Sequence, residues 1–166
     1  MGNAPTKTNE NIYFRCRKEA SMCNPDLRSR DSAADLLGVS TSSLADYELG
    51  VTKVIPVDKV VLMADLYNAP QLMNCYCASE CPIGCRRKIA TEIRPLQETV
   101  ISLLDLLADS RLDRYMKTLT HIAARYDKES DMQEMGEVVG YLSRLRMLFD
   151  ELTLFDEKRR GATHEC

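Results

Sequence analysis

Nowhere in the 166 residues is there a run of ~18 uninterrupted apolar positions, the minimum for an apolar membrane-spanning helix. The first twenty residues carry Asn, Lys and Glu where a secretory signal would need an apolar stretch, so the expectation is a soluble, cytoplasmic protein with reduced or metal-bound thiols. Histidine occurs only twice, as His121 and His164. There is no glycine-rich phosphate loop, no H-E-x-x-H and no nucleophile elbow, and an enzyme reading fails for want of parts. A basic excess is also missing. The net charge is −3 and the pI about 5.5, and residues 1 to 70 carry eight Lys or Arg against nine Asp or Glu. Any affinity for nucleic acid must therefore come from a local arrangement of charge. The absence of strand-like alternation and of a solenoid-length repeat leaves an all-α fold as the expectation.

What is present is enough apolar material, 45% of residues with 28% charged, for one core of ordinary size or two small ones. Residues 1–9 read as a disordered lead-in. A helix is expected from about Glu10 to Met22, with Ile12, Cys16 and Ala20 on its apolar face, ended by Asn24 and Pro25. Ser29 can cap a second helix that buries Ala33, Ala34 and Leu37 and stops at Gly38. Ser40 can cap a third that buries Leu44 and Tyr47 and stops at Gly50. Pro56 opens a fourth, carrying Val60, Met63, Ala64 and Tyr67 inward, and Asn68-Ala69-Pro70 closes the unit.

Residues Ser29 to Ala69 resemble the XRE helix-turn-helix family, the lambda-repressor and Cro type of bacterial and phage regulators. The matching positions are Ala34, Leu37, Gly38, Val39 and Ser40 at the turn, Tyr47-Glu48 with Gly50 at the end of the second helix, and Pro56. The resemblance covers about a quarter of the chain. It implies a five-helix domain over 10–70, whose fifth helix is expected from the family alone, and it implies that the second helix of the pair enters the DNA major groove. Carried over by position, the base-facing residues would be Thr41, Ser42, Ser43, Ala45 and Asp46, with Ser29, Arg30 and Lys53 as backbone contacts. Three positions depart from the pattern: Asp46 and Thr41 stand where basic residues are common, and Arg28 where an apolar one is usual. The implied function is sequence-specific transcriptional regulation as a dimer on double-stranded DNA. The alternative is an interaction protein of a mobile element that uses the same helices to inhibit a macromolecular partner. Basicity at Arg28, Arg30 and Lys53 favours the first, while Asp46 and the acidic total favour the second.

Residues 71–94 show no clear amphipathic period and read as a Cys-rich connector. Cys75, Cys77, Cys81 and Cys85 fall within eleven residues, close enough to hold a zinc ion or an iron–sulfur cluster, with Pro82 and Gly84 letting backbone wrap the site. The spacing lacks paired C-x2-C steps, and small thiols also serve as core residues. Cys16 could replace one ligand; Cys23 and Cys166 look incidental. Such thiols could also respond to oxidants.

Residues 95–155 read as a helical dimerisation module. Leu96, Val100, Leu103, Leu104 and Leu107 share one face after Pro95, and Arg111 to Tyr126 repeats the pattern. The last helix begins at a Ser130–Gln133 capping box and carries Met135, Val138, Leu142, Leu145, Phe149 and Leu152 at three- and four-residue steps. That heptad seam suggests a homodimer through the 130–155 helix. Residues 156–166 read as a flexible tail.

Overall fold

The computed structural model describes residues 11–108, 111–124 and 130–162. Among them the chain is all-helical, with no strand. Eight α-helices follow in order: α1 Ile12–Ala20, α2 Arg30–Leu37, α3 Thr41–Leu49, α4 Val57–Leu66, α5 Gln71–Ser79, α6 Leu96–Leu107, α7 Leu112–Ala124 and α8 Ser130–Ala162. Short 3-10 turns sit at Pro25–Leu27 and Gly84–Arg86. No helix among these residues is long and apolar enough to cross a membrane. The chain divides into two compact units, Met1–Glu92 with Asp156–Cys166, and Ile93–Phe155.

In the first unit, local capping chemistry sets the helix starts. Asn11 Oδ1 accepts from the amides of Tyr13 and Phe14, Ser29 Oγ from Ser32, and Ser40 Oγ from Ser43. Gly38 and Gly50 end α2 and α3 with φ of 61° and 67°, left-handed values that a side chain would strain. Pro56 stands at the N-cap of α4, one position before the helix proper. The core gathers Leu27, Ala33, Ala34, Leu37, Leu44, Ile55, Val60, Met63, Tyr67 and Leu72.

Three sequence expectations change here. The inward face of α1 is Tyr13, Cys16 and Arg17, with Ile12 and Ala20 only half-buried, because a buried ion pair draws Arg17 in. Residues Gln71–Ser79 are a helix rather than a connector. Leu72 is fully buried, α5 packs on α4, and Glu80 at its end accepts from the Tyr13 hydroxyl and the Ile55 amide, each at 2.8 Å. The first unit therefore runs through Glu92 instead of ending at 70. The expected flexible tail is helical through Ala162, and residues 156–162 belong to the first unit. Lys158 Nζ meets Glu19 at 2.7 Å, and Asn68 Nδ2 donates to the Lys158 carbonyl. The lead-in at 1–9 and Cys166 lie outside the described residues.

The second unit has a small core of Tyr115, Val138 and Tyr141, flanked by Leu106, Leu112 and Leu145. The two tyrosine rings lie 5.1 Å apart, and Tyr141 donates to the Leu106 carbonyl. Arg94 and the buried Thr99 both donate to Glu151. The expected seam divides in two. Val138, Tyr141 and Leu148 are buried, whereas Leu142 and Phe149 are 50% and 53% exposed. Two apolar stripes run side by side along α8, and a three–four pattern in the sequence cannot say which one the chain itself covers. The side chain of Ser130, and with it the capping box, lies outside the described residues.

Candidate nucleic-acid interface

The three-residue turn after α2 brings the start of α3 back beside the start of α2. Thr41, the first residue of α3, donates to Asp31 Oδ1 of α2 at 2.8 Å. Ser40 Oγ lies 3.0 Å from the Ser42 hydroxyl and 2.8 Å from that of Ser43. Ser29 Oγ lies 2.8 Å from Ser32 Oγ. Six hydroxyls thus cluster at two helix N-termini, where unpaired amides favour an anion. Ser40 Oγ is saturated by the Ser43 amide and the two neighbouring hydroxyls, while the other five hydroxyls keep acceptor capacity beyond these contacts.

Behind this surface α3 is anchored by Leu44, Tyr47 and Glu48, all buried. Glu48 is 0% exposed and Arg17 only 1%. Arg17 Nε and Nη2 reach its two carboxylate oxygens at 2.5 and 3.0 Å, while Arg17 Nη1 donates to the Leu27 and Arg28 carbonyls. Asn11 Nδ2 adds a bond to the Tyr47 carbonyl. The orientation of α3 against α1 is therefore held by charge-assisted bonds as well as by packing.

Of the residues singled out in the sequence, Ser29, Arg30, Thr41, Ser42 and Ser43 come together at the two helix starts. Ala45 and Asp46 follow along α3, both half-exposed, and Lys53 stands exposed in the loop beyond Gly50. Arg30 has a second task that the sequence did not reveal. Its Nε donates to Glu48 Oε2 at 2.6 Å while its side chain stays 35% exposed, so it closes the buried ion pair from the rim. Arg28 is exposed nearby, with Lys18 Nζ bonded to its carbonyl. Lys59 was missed altogether: its ammonium caps the end of α2 through the Leu37 carbonyl at 3.0 Å. Only a tertiary contact reveals that role.

Comparison with known families, curated proteins and solved structures gives no significant match to this chain. The site must be judged on its own geometry.

The four clustered cysteines do not share one environment. Cys75 and Cys77 are two residues apart on α5 and so project about 200° apart around the helix. Cys75 Sγ donates to the Thr91 carbonyl, and burial pushes this thiol up to about 11. Gly84 sits so close to the Cys77 backbone that a Cβ there would collide with the Cys77 carbonyl. Its amide donates to Cys81 Sγ at 3.4 Å, and Cys85 follows in an exposed position. Cys16 is in the core, accepts from Gln71 Nε2, and is pushed by burial up to about 12. Among the described residues no group of three or more Cys, His, Asp or Glu is placed to hold a metal ion, and the six described cysteines are free thiols. As arranged, no three of these thiols converge on one point.

The burial differences predict a reactivity order. At pH 8 the thiolate fractions of Cys16 and Cys75 should lie ~100-fold or more below that of an ordinary thiol. Iodoacetamide should label Cys23 and Cys85 in the native protein and reach Cys16 and Cys75 only after unfolding, as read by peptide mass spectrometry. Rapid native labelling of Cys16 would contradict the packing around α1. Protection of Cys75, Cys77, Cys81 and Cys85 by added zinc would show that the segment rearranges into a metal site.

Proposed function

We propose that the first unit is a helix-turn-helix DNA-binding module of the lambda-repressor type, and that the protein is a transcriptional regulator whose α3 lies in the major groove. The observation that carries this reading is the α2–α3 pair itself. It is closed by a left-handed Gly38 and presents the hydroxyls of Ser29, Thr41, Ser42 and Ser43 at two adjoining helix starts. Hydroxyls so placed bond phosphate oxygens and base edges alike, and the Ala45 methyl suits a thymine methyl. Two copies of the chain would read two half-sites.

One observation favours the second reading, an interaction protein that inhibits a macromolecular partner. The Asp46 carboxylate has no ion pair or hydrogen bond among the described residues, although it stands in the middle of the surface offered to DNA. An unpaired carboxylate is repelled by phosphate unless it accepts from a cytosine amino group.

The test is salt-dependent binding to DNA, beginning with the region upstream of the gene. Ser42→Ala should weaken binding to the cognate site by ~1–3 kcal/mol. Arg28→Ala and Lys53→Ala should weaken binding to all sequences and flatten the salt dependence, since phosphate contacts release counterions without reading bases. They are cleaner probes than Arg30→Ala, which also opens the buried ion pair. Asp46→Ala should alter sequence preference if the carboxylate reads cytosine, and raise non-specific affinity if it only repels. A wild type with no salt-sensitive affinity for any DNA would leave the inhibitor reading in possession.

A further inference from the structure

In the first unit a cavity of about 420 Å³ opens between the end of α1, the turn after it, the end of α4 and the last turns of α8. That volume lies within the ~300–1,000 Å³ of small-molecule sites, near the lower end. Ala20, Pro25, Leu66 and Tyr67 make its walls mainly apolar, with Cys16 among them.

The polar lining residues reach solvent. Glu19 and Lys158 are 60% and 34% exposed, and Asn24 and Asn68 are half-buried. Each amide has one arm engaged: Asn24 Oδ1 accepts from the Asp26 amide, and Asn68 Nδ2 donates to the Lys158 carbonyl. That leaves the Asn24 nitrogen to donate and the Asn68 oxygen to accept. Around one opening, then, stand two donors, Lys158 and Asn24, and two acceptors, Glu19 and Asn68. A lone carboxylate would face Glu19, and a lone amine would face Lys158. A zwitterion meets a complement at both of its ends. Lys158 Nζ and Glu19 pair with each other at 2.7 Å, but an exposed pair is worth little, so exchanging it for ligand contacts costs little.

The other lining residues carry no charge. Tyr67 is buried, and its hydroxyl has no hydrogen-bond partner among the described residues. Gln71 donates through Nε2 to Cys16 Sγ, and its carbonyl is without a partner in the same way. Buried polar groups seldom stay unpaired, and such a floor suits a side chain that is uncharged but not necessarily devoid of polar atoms. We infer that this cavity is a binding site for a free α-amino acid with an uncharged side chain, its carboxylate bound by Lys158 and Asn24 and its ammonium by Glu19 and Asn68. The site goes beyond the regulator reading and stands whether or not α3 binds DNA. Its bearing on regulation, which does rest on that reading, runs through α1: this helix lines the cavity with Cys16, Glu19 and Ala20, and it holds α3 through Arg17.

The experiment is isothermal titration of the full chain with each uncharged L-amino acid in turn. L-aspartate, L-lysine and the decarboxylated and deaminated forms of the best ligand (isoamylamine and isocaproate for leucine) are titrated beside them. The expected result is one-site binding of at least one uncharged amino acid, with the charged and truncated compounds ~10-fold or more weaker, as loss of a charge-assisted hydrogen bond implies. Lys158→Met and Glu19→Gln should each weaken binding by a similar factor with unchanged helical circular dichroism. Ala20→Leu should fill the cavity and block it; should that variant lose helicity, the two charge variants decide. Bound ligand should also slow alkylation of Cys23, which borders the cavity, and leave that of Cys85 unchanged. The inference is overturned if no uncharged amino acid binds with a Kd below ~1 mM. It is equally overturned if a truncated form binds as tightly as the whole amino acid, or if binding neither protects Cys23 nor weakens in the two charge variants. A wild type that binds an amino acid but no DNA would defeat the α3 reading and leave this site intact, and DNA binding without amino-acid binding would do the reverse.

Discussion

Glu48→Ala should destabilise the first unit by roughly 3–5 kcal/mol, the usual cost of removing one partner from a buried ion pair. The substitution leaves the Arg17 guanidinium, 1% exposed, without its counter-charge, and it releases Arg30 from the rim. Against a domain stability of ~5–15 kcal/mol this is a large fraction. Removing both charges together, as Arg17→Met with Glu48→Leu, should cost far less, because no unpaired charge remains buried. Amide exchange in α1 and α3, which isolates this unit from the other, is the suitable measurement. A loss below ~1 kcal/mol for Glu48→Ala would mean that water reaches the pair, and that α3 is oriented by packing alone. Since Arg17 also bonds the Leu27 and Arg28 carbonyls, the same substitution should loosen the turn between α1 and α2 and, with it, the surface offered by Ser29 and Thr41.

Leu72→Ala should cost ~2–5 kcal/mol, the range for emptying a fully buried leucine site. The result discriminates between two descriptions of residues 71–79. In a connector the substitution would change little, whereas in a helix that closes the core of the first unit and packs on α4 it leaves a cavity in that core. Glu80→Ala in the same segment should also destabilise, by ~1–3 kcal/mol, because it strands the Tyr13 hydroxyl and the Ile55 amide. Thermal melts and amide exchange of the full chain would check both. A neutral Leu72→Ala would put the boundary of the unit back near 70.

The α2–α3 pair was legible because its signals are local. A Ser cap, an alanine- and leucine-rich inward face and a glycine that accepts a left-handed φ all act within one helix and its ends. The buried residues Ala33, Ala34, Leu37, Leu44 and Tyr47 follow from periodicity alone, and the structure buries them. The segment after Pro70 was not legible, since Leu72, Met73 and Tyr76 make its inward side amid half-buried cysteines that look equally suited to a metal. Thiol spacing along a chain does not report direction, and on a helix two positions apart means nearly opposite faces.

By itself, then, the sequence determined the all-helical class, the ends of α2 and α3, and the inward faces of the helices whose apolar residues form a single stripe. Tertiary structure alone decided that Arg17 turns inward to Glu48, that Arg30 closes this pair as well as facing solvent, and that α5 belongs to the core. It alone decided which of the two stripes on α8 the chain covers. The reason is common to all four: a partner on another element of the fold, or the lack of one, sets the balance between burial and exposure for charges and for doubled apolar faces, and no local pattern encodes where that partner will stand.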